Sequence, residues 1–165
     1  MTLPWNRALP LALLSTVFAL SLSPAPAAAQ GEDPVALELF GSYLRQSNAD
    51  EEAVGLRAGY RFGSRWALKT SLSHLQVSEA NLWLADLSAK AYLTPGRRAE
   101  LYALAGAGGF RVVGNDEPTV HVGLGAEVGL GRRSYLRPEV RARWIADALD
   151  VDPLYDYSLG IGFRF

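Results

Sequence analysis

The sequence predicts an all-β protein: an eight-stranded antiparallel up-and-down transmembrane β-barrel preceded by a cleaved signal peptide. Three observations predict it. The first thirty residues follow the three-part pattern of an export signal. The remainder reads as eight runs of about ten residues alternating apolar and polar, the signature of strands. In six of those runs one parity carries no charge, while the other parity is charged, small, or both.

The leader comes first. Met1 to Arg7 holds one basic side chain and no acid, and Ala8–Leu20 is the apolar run ALPLALLSTVFAL. Ser23–Gln30 then reads SPAPAAAQ, where Ala27-Ala28-Ala29 fits the small-x-small cleavage rule. Cleavage is expected after Ala29, giving residues 1–29 as signal peptide and 30–165 as the barrel domain. The apolar run is too short to stay as an anchor, since a spanning helix needs about 20 apolar residues.

Composition narrows the classes. The chain has 165 residues, 49% hydrophobic and 20% charged, which excludes a disordered tail and leaves room for one domain. It has no cysteine, so disulfides, thiolate metal sites and a cysteine nucleophile are excluded. Sixteen basic against 17 acidic residues leave a net charge of −1, so no basic field points to nucleic acid. With only His74 and His121 present, a histidine-rich metal site is not expected.

The strands follow in order. Strand one, 35–45, sets Val35, Leu37, Leu39, Gly41 and Tyr43 on one face and Glu38 on the other. Strand two, 53–62, opposes Val54, Leu56, Ala58, Tyr60 and Phe62 to Arg57 and Arg61. Strand three, 66–76, opposes Trp66, Leu68, Thr70 and Leu72 to Lys69. Strand four, 81–93, runs Trp83, Ala85, Leu87, Ala89, Ala91 and Leu93 against Asp86 and Lys90. Strand five, 100–112, sets Leu101, Ala103, Ala105 and Ala107 against Glu100. It also turns Arg111 outward, so a bulge near Gly108-Gly109 or a place for Arg111 above the hydrocarbon is expected. Strand six, 119–130, alternates Val120, Val122, Leu124, Ala126, Val128 and Leu130 with His121 and Glu127. Strand seven, 135–146, alternates Leu136, Pro138, Val140, Ala142 and Trp144 with Arg137, Glu139, Arg141 and Arg143. Strand eight, 155–165, alternates Tyr155, Tyr157, Leu159, Ile161, Phe163 and Phe165 with Asp156 and Arg164. Turn signals at Gly63-Ser64-Arg65, Thr94-Pro95-Gly96, Gly114-Asn115-Asp116 and Gly131-Arg132-Arg133 join them as hairpins.

Two architectures use such a pattern. A soluble barrel or sandwich turns the apolar parity inward; a membrane barrel turns it to lipid and closes the charges into a lumen. Strands of about ten residues suit a tilted crossing, whereas globular strands are typically ~5–6. Aromatics gather at strand ends: Phe62, Trp66, Tyr135, Phe163 and Phe165 at one rim, and Tyr43, Trp83, Trp144 and Tyr155 at the other. The polar parity sets arginines of strands two and seven among glycines of strands five, six and eight, and room for arginine is useful only in a narrow lumen. Slipping strand seven by one residue would aim Arg137, Arg141 and Arg143 at lipid, at about 2–4 kcal/mol each near the midplane. An open edge is not viable in lipid, so strand eight is expected to pair with strand one.

The exported chain resembles the small eight-stranded outer-membrane barrels of Gram-negative bacteria, the OmpA/OmpX type. The resemblance spans the mature chain. It rests most on the terminal strand YDYSLGIGFRF, which ends in Phe165, and on the strand-five run YALAGAGGF. It implies an outer-membrane location, with outer-membrane lipid and lipopolysaccharide as surroundings, and a C-terminal strand read by the barrel assembly machinery. It implies a periplasmic N-terminus and short periplasmic turns, here basic, with the acidic stretches 46–52, 77–79, 114–118 and 147–154 as outer loops. A monomer is expected, with no nucleic-acid partner.

Chemistry is weighed against this. The lumen parity holds six acids (Glu38, Asp86, Glu100, Glu127, Glu139, Asp156) and eight bases (Arg57, Arg61, Lys69, Lys90, Arg137, Arg141, Arg143, Arg164). In a small barrel these are expected to pair and fill the interior, and such networks mimic catalytic clusters. One enzyme type of this barrel class acts on lipid A through a lipid-facing His-x-Ser. His74 has the right place, but Gln76 stands where the serine is needed, and Ser71 and Ser73 lie on the other parity. A second type buries an acyl chain in an apolar lumen, which the charges here contradict. His121 is expected as a lumen hydrogen-bonding residue. No catalytic, cofactor-binding or metal residue is assigned. The expected function is a non-enzymatic barrel serving envelope integrity or surface interaction. The alternative is a narrow ion or small-solute channel, although eight-stranded lumens are filled and water-filled pores need about 16–18 strands. The acidic loops are candidates for divalent cations, but no spacing matches a calcium loop.

Overall fold

The computed structural model describes residues 34–46, 49–77, 80–112, 115–146 and 152–165. The proposed signal peptide lies outside the described residues. Eight strands form: β1 Val35–Gln46, β2 Ala49–Phe62, β3 Trp66–Val77, β4 Ala80–Tyr92, β5 Ala99–Val112, β6 Asn115–Gly129, β7 Ser134–Ile145 and β8 Leu154–Arg164. Each pairs antiparallel with its chain neighbour, and β8 pairs with β1 to close the barrel. No sheet edge faces lipid, so every strand has a partner for its backbone on both sides.

The registers set the barrel's width. Starting at Val35, successive partners are Tyr60, Leu68, Ala89, Ala105, Val122, Ala142 and Tyr155, and the circuit returns to β1 at Arg45. The return point is ten residues beyond the start, so the shear number is 10 for eight strands. With ordinary strand spacing and rise this corresponds to a tilt of about 40°. The 12 residues of β1 then climb about 30 Å, enough to cross the hydrocarbon layer.

The parities divide as the alternation predicts. Leu56 is 65% exposed on the outer wall, while Arg141 and Arg143 inside are each 1% exposed. All fourteen charged residues of the inner parity point into the lumen, and only Arg61 and Arg164, at the turn end, are less than fully buried. Phe62, Trp66, Phe163 and Phe165 line the turn-end rim, and Tyr43, Trp83 and Tyr155 line the other, all exposed. Tyr135 departs from the expected girdle: it is 2% exposed and points inward over Gly162. Its parity is that of Arg137, and the space above Gly162 accepts its ring.

Strand five needs no bulge. Its partners run without a break from Trp83↔Arg111 to Tyr92↔Tyr102 on one side and from Ala99↔Val128 to Val112↔Asn115 on the other. Arg111 is exposed beside Trp83 at the outer end, the second of the two expected solutions. The ladder between β6 and β7 stops after Gly125↔Glu139 and resumes at Val128↔Leu136. That gap faces Pro138, which has no N–H to donate.

Two stretches expected as outer loops are strand instead. β2 begins at Ala49 and β6 at Asn115, so Asp50, Glu51, Glu52 and Glu117 continue the hairpins. Acidic residues are poor strand formers, but the ladder of the paired strand overrides that preference above the hydrocarbon. At the opposite end Gly63 and Gly96 hold φ of 73° and 77°, a left-handed conformation that suits glycine in tight turns.

Inner glycines stand across from large side chains. Phe40 faces Gly55, Asp86 faces Gly108, Tyr102 faces Gly125, Arg141 faces Gly123 and Tyr135 faces Gly162. A Cβ added at Gly55 would lie 2.7 Å from the Phe40 ring. Gly59 differs, its nearest neighbours being Leu68 O at 3.7 Å and Ala36 Cβ at 3.9 Å. Gly162→Ala is therefore expected to destabilise the barrel by about 1–3 kcal/mol through overpacking. Gly59→Ala should leave stability unchanged. Unfolding temperature read from heat-dependent gel mobility checks both.

Candidate functional site

Among the described residues, charge, burial and polar contact converge in the lumen. Successive inward residues on a tilted strand climb the barrel axis, so neighbouring strands stack their charges in layers. Near the outer end Asp86 accepts from two of the three guanidiniums of β7. Arg143 Nη1 lies 2.6 Å from its Oδ1 and Arg141 Nη1 lies 2.9 Å from its Oδ2. Ser71 Oγ donates to Oδ2 at 3.1 Å. Arg143 also donates to Thr119 Oγ1 at 3.0 Å.

Arg141 carries the network down, its Nε 2.6 Å from Glu139 Oε1. Glu139 accepts as well from Lys69 Nζ at 2.7 Å and from the Tyr102 hydroxyl, and Arg57 Nη2 stands 3.5 Å away. Arg57 in turn holds Glu38 at 2.8 Å and donates to Ser158 Oγ at 2.9 Å, its plane lying over the Phe40 ring. Glu38 pairs closely with Arg137, which reaches Glu127 at 3.5 Å. Glu127 pairs closely with Lys90, accepts from Tyr92 at 3.1 Å and holds Arg164 at 2.7 Å. Arg164 and Arg61 share Glu100 at 3.1 and 3.0 Å, and the Gly96 amide donates to that carboxylate at 2.8 Å.

Charges of alternating sign thus form one continuous chain from Arg143 to Arg61. Above it the outer end of the lumen is apolar: Leu44, Ala53, Leu75 and Leu84 cluster there, with Leu82, Phe110 and Leu154 packed against them. Sequence reasoning missed this lid and the inward rings of Phe40, Tyr92, Tyr102 and Phe110. The available signal was their parity, which matches that of the charges.

His121 is buried as expected, its Nε2 2.9 Å from Ser88 Oγ and its Nδ1 3.8 Å from Asp86 Oδ1. His74 lies on the outer wall with its ring 4.8 Å from that of Trp83, while Ser71 and Ser73 are buried inside. Ser71 and Ser73 therefore stand on the opposite side of the wall from the His74 imidazole, and the imidazole–serine contact among the described residues is the buried one of His121 with Ser88. Among the described residues no group of three or more His, Cys, Asp or Glu side chains is placed to hold a metal ion.

Removing one partner of a buried pair leaves an uncompensated charge, at a cost of about 3–5 kcal/mol. Asp86→Ala, which takes the paired carboxylate from Arg143 and one of two from Arg141, is expected to cost that much. Arg164→Ala, at the part-exposed rim, should cost under about 1 kcal/mol. Urea unfolding in detergent, followed by tryptophan fluorescence, compares the two.

The model of the outer membrane protein beta-barrel domain matches residues 12–165. No curated protein matches the chain. Among solved structures, the N-terminal β-barrel domain of Pseudomonas aeruginosa OprF is similar, with TM-score 0.69 and 19% identity, covering 82% of this chain and all of that one. Neisserial surface protein A superposes with TM-score 0.62 and 16% identity over 82% of this chain and 100% of its own. Ail, the attachment invasion locus protein of Yersinia pestis, does so with TM-score 0.54 and 17% identity over 82% and 99%. At such identities the likeness shows the fold, and the family match covers nearly the whole sequence. The chain belongs to the outer membrane protein beta-barrel domain family and is a protein of the outer membrane.

Proposed function

We propose that this protein is a non-enzymatic, closed barrel that serves envelope integrity or surface interaction. One observation carries the reading: among the described residues the lumen is occupied by an apolar cluster and a chain of ion pairs beneath it, which leave a cavity of about 30 Å³ at the turn end. A pore needs a water-filled path, and an acid–base site needs a carboxylate free to exchange a proton with substrate. Both Asp86 oxygens and both Glu139 oxygens already accept from cations or hydroxyls.

Residues 1–29 act in this reading as the export signal, and the C-terminal strand ending in Phe165 as the element engaged by the barrel assembly machinery. The barrel stands as a monomer among outer-membrane lipid and lipopolysaccharide. Its outer hairpins carry Asp50, Glu51, Glu52 and Glu117. Ail has been solved in complex with a heparin analogue, sucrose octasulfate; an acidic outer end favours cationic or cation-bridged partners over such a polyanion.

Conductance in planar bilayers tests the reading. The mature protein, inserted in its folded form, is expected to show no stable current steps. Steps of reproducible size and charge selectivity would instead establish the narrow channel.

A further inference from the structure

We propose that the turn end of the lumen holds one small monovalent anion of the chloride class, in a cavity between Arg57, Lys69, Lys90 and Arg137. The cavity measures about 30 Å³. That admits one monatomic ion or a water or two. Its walls include these four bases and Arg164, with Glu127 as the acidic wall residue among those described.

The charge balance points to the same place. Toward the outer end Asp86 and Asp156 face Arg141 and Arg143, two against two. At the rim Glu100 is shared by Arg61 and Arg164, which water reaches. Between these layers the described acids are Glu38, Glu127 and Glu139, and the described bases are Arg57, Lys69, Lys90 and Arg137, all seven buried. One positive charge is in excess, and the cavity lies among the four bases that share it.

A second observation is independent of charge. Arg57 Nε and Arg137 Nε are buried with no hydrogen-bond acceptor, although both residues line the cavity. A water would supply an acceptor but leave the charge uncompensated. A halide supplies both, and buried charge is tolerated only when paired. Pro34 and Arg164 at the turn end are among the cavity's walls, so the ion enters from that end.

The test uses the folded mature barrel in detergent, with sodium chloride exchanged for sodium gluconate at constant ionic strength. Unfolding temperature should rise saturably with chloride, by about 5 °C when chloride is about tenfold above its dissociation constant. Lys90→Met removes the excess charge and leaves Glu127 paired with Arg137 and Arg164. Its unfolding temperature should not respond to chloride. Crystals of the unmodified barrel soaked in sodium bromide should show an anomalous peak between Arg57 and Arg137. An unfolding temperature equal in chloride and gluconate, a chloride response retained by Lys90→Met, or a cavity without bromide would each overturn the proposal.

Discussion

Hydrocarbon solvates neither a free backbone amide nor a lone charge, and every feature of this chain answers to those two exclusions. Closure by the β8–β1 ladder removes the first problem. The second is met by sending all fourteen charges of the inner parity into a lumen where opposite signs meet. Pairing does not make the interior cheaper than an apolar core, because desolvation offsets most of the Coulombic gain. Its effect is to make any other arrangement of this sequence far worse. An arginine turned to lipid costs its own insertion and also leaves its former partner stranded.

Shear and side-chain volume then decide how the lumen fills. A shear of ten over eight strands makes an interior too narrow for a water column and wide enough for one layer of long side chains. Several large inward groups meet a glycine on the adjoining strand, as Tyr102 meets Gly125 and Arg141 meets Gly123. The glycines give up side-chain packing at one point so that a ring or guanidinium can lie flat across the strand there. The outer end is closed differently, with leucines and Phe110. The two ends of the lumen therefore differ in kind: an apolar cluster lies toward the end opposite the short turns, and a small cavity among cations lies at the turn end.

Much of this was legible in the sequence, for a specific reason. Period-two alternation is enough to assign a side to each residue once lipid is the solvent, and Arg137, Arg141 and Arg143 fix the parity of β7 unambiguously. The ion pairs were not legible. Lys69 meets Glu139 across 70 positions and Arg143 meets Asp86 across 57, and those meetings depend on a shear that no single strand reveals. Tyr135 has the residue type of a rim aromatic, but its parity and the facing Gly162 place it inside. Residues 50–52 read as loop because acids break strand propensity, yet the hairpin continues through them. The apolar lid was hidden because Leu44, Leu75 and Leu84 share their parity with charges.

The central claim is that charge faces in and apolar surface faces lipid. The chain has no cysteine of its own, so single cysteines can be placed at Leu87 and Leu159, which face out, and at Ser88 and Ser158, which face in. Each variant is folded into bilayers containing brominated lipid and treated with a membrane-permeant fluorescent maleimide. Labelling and strong quenching at positions 87 and 159, with neither at 88 and 158, is the predicted result. Quenching at 88 and 158 with protection at 87 and 159 would contradict the account, because it would turn the barrel inside out.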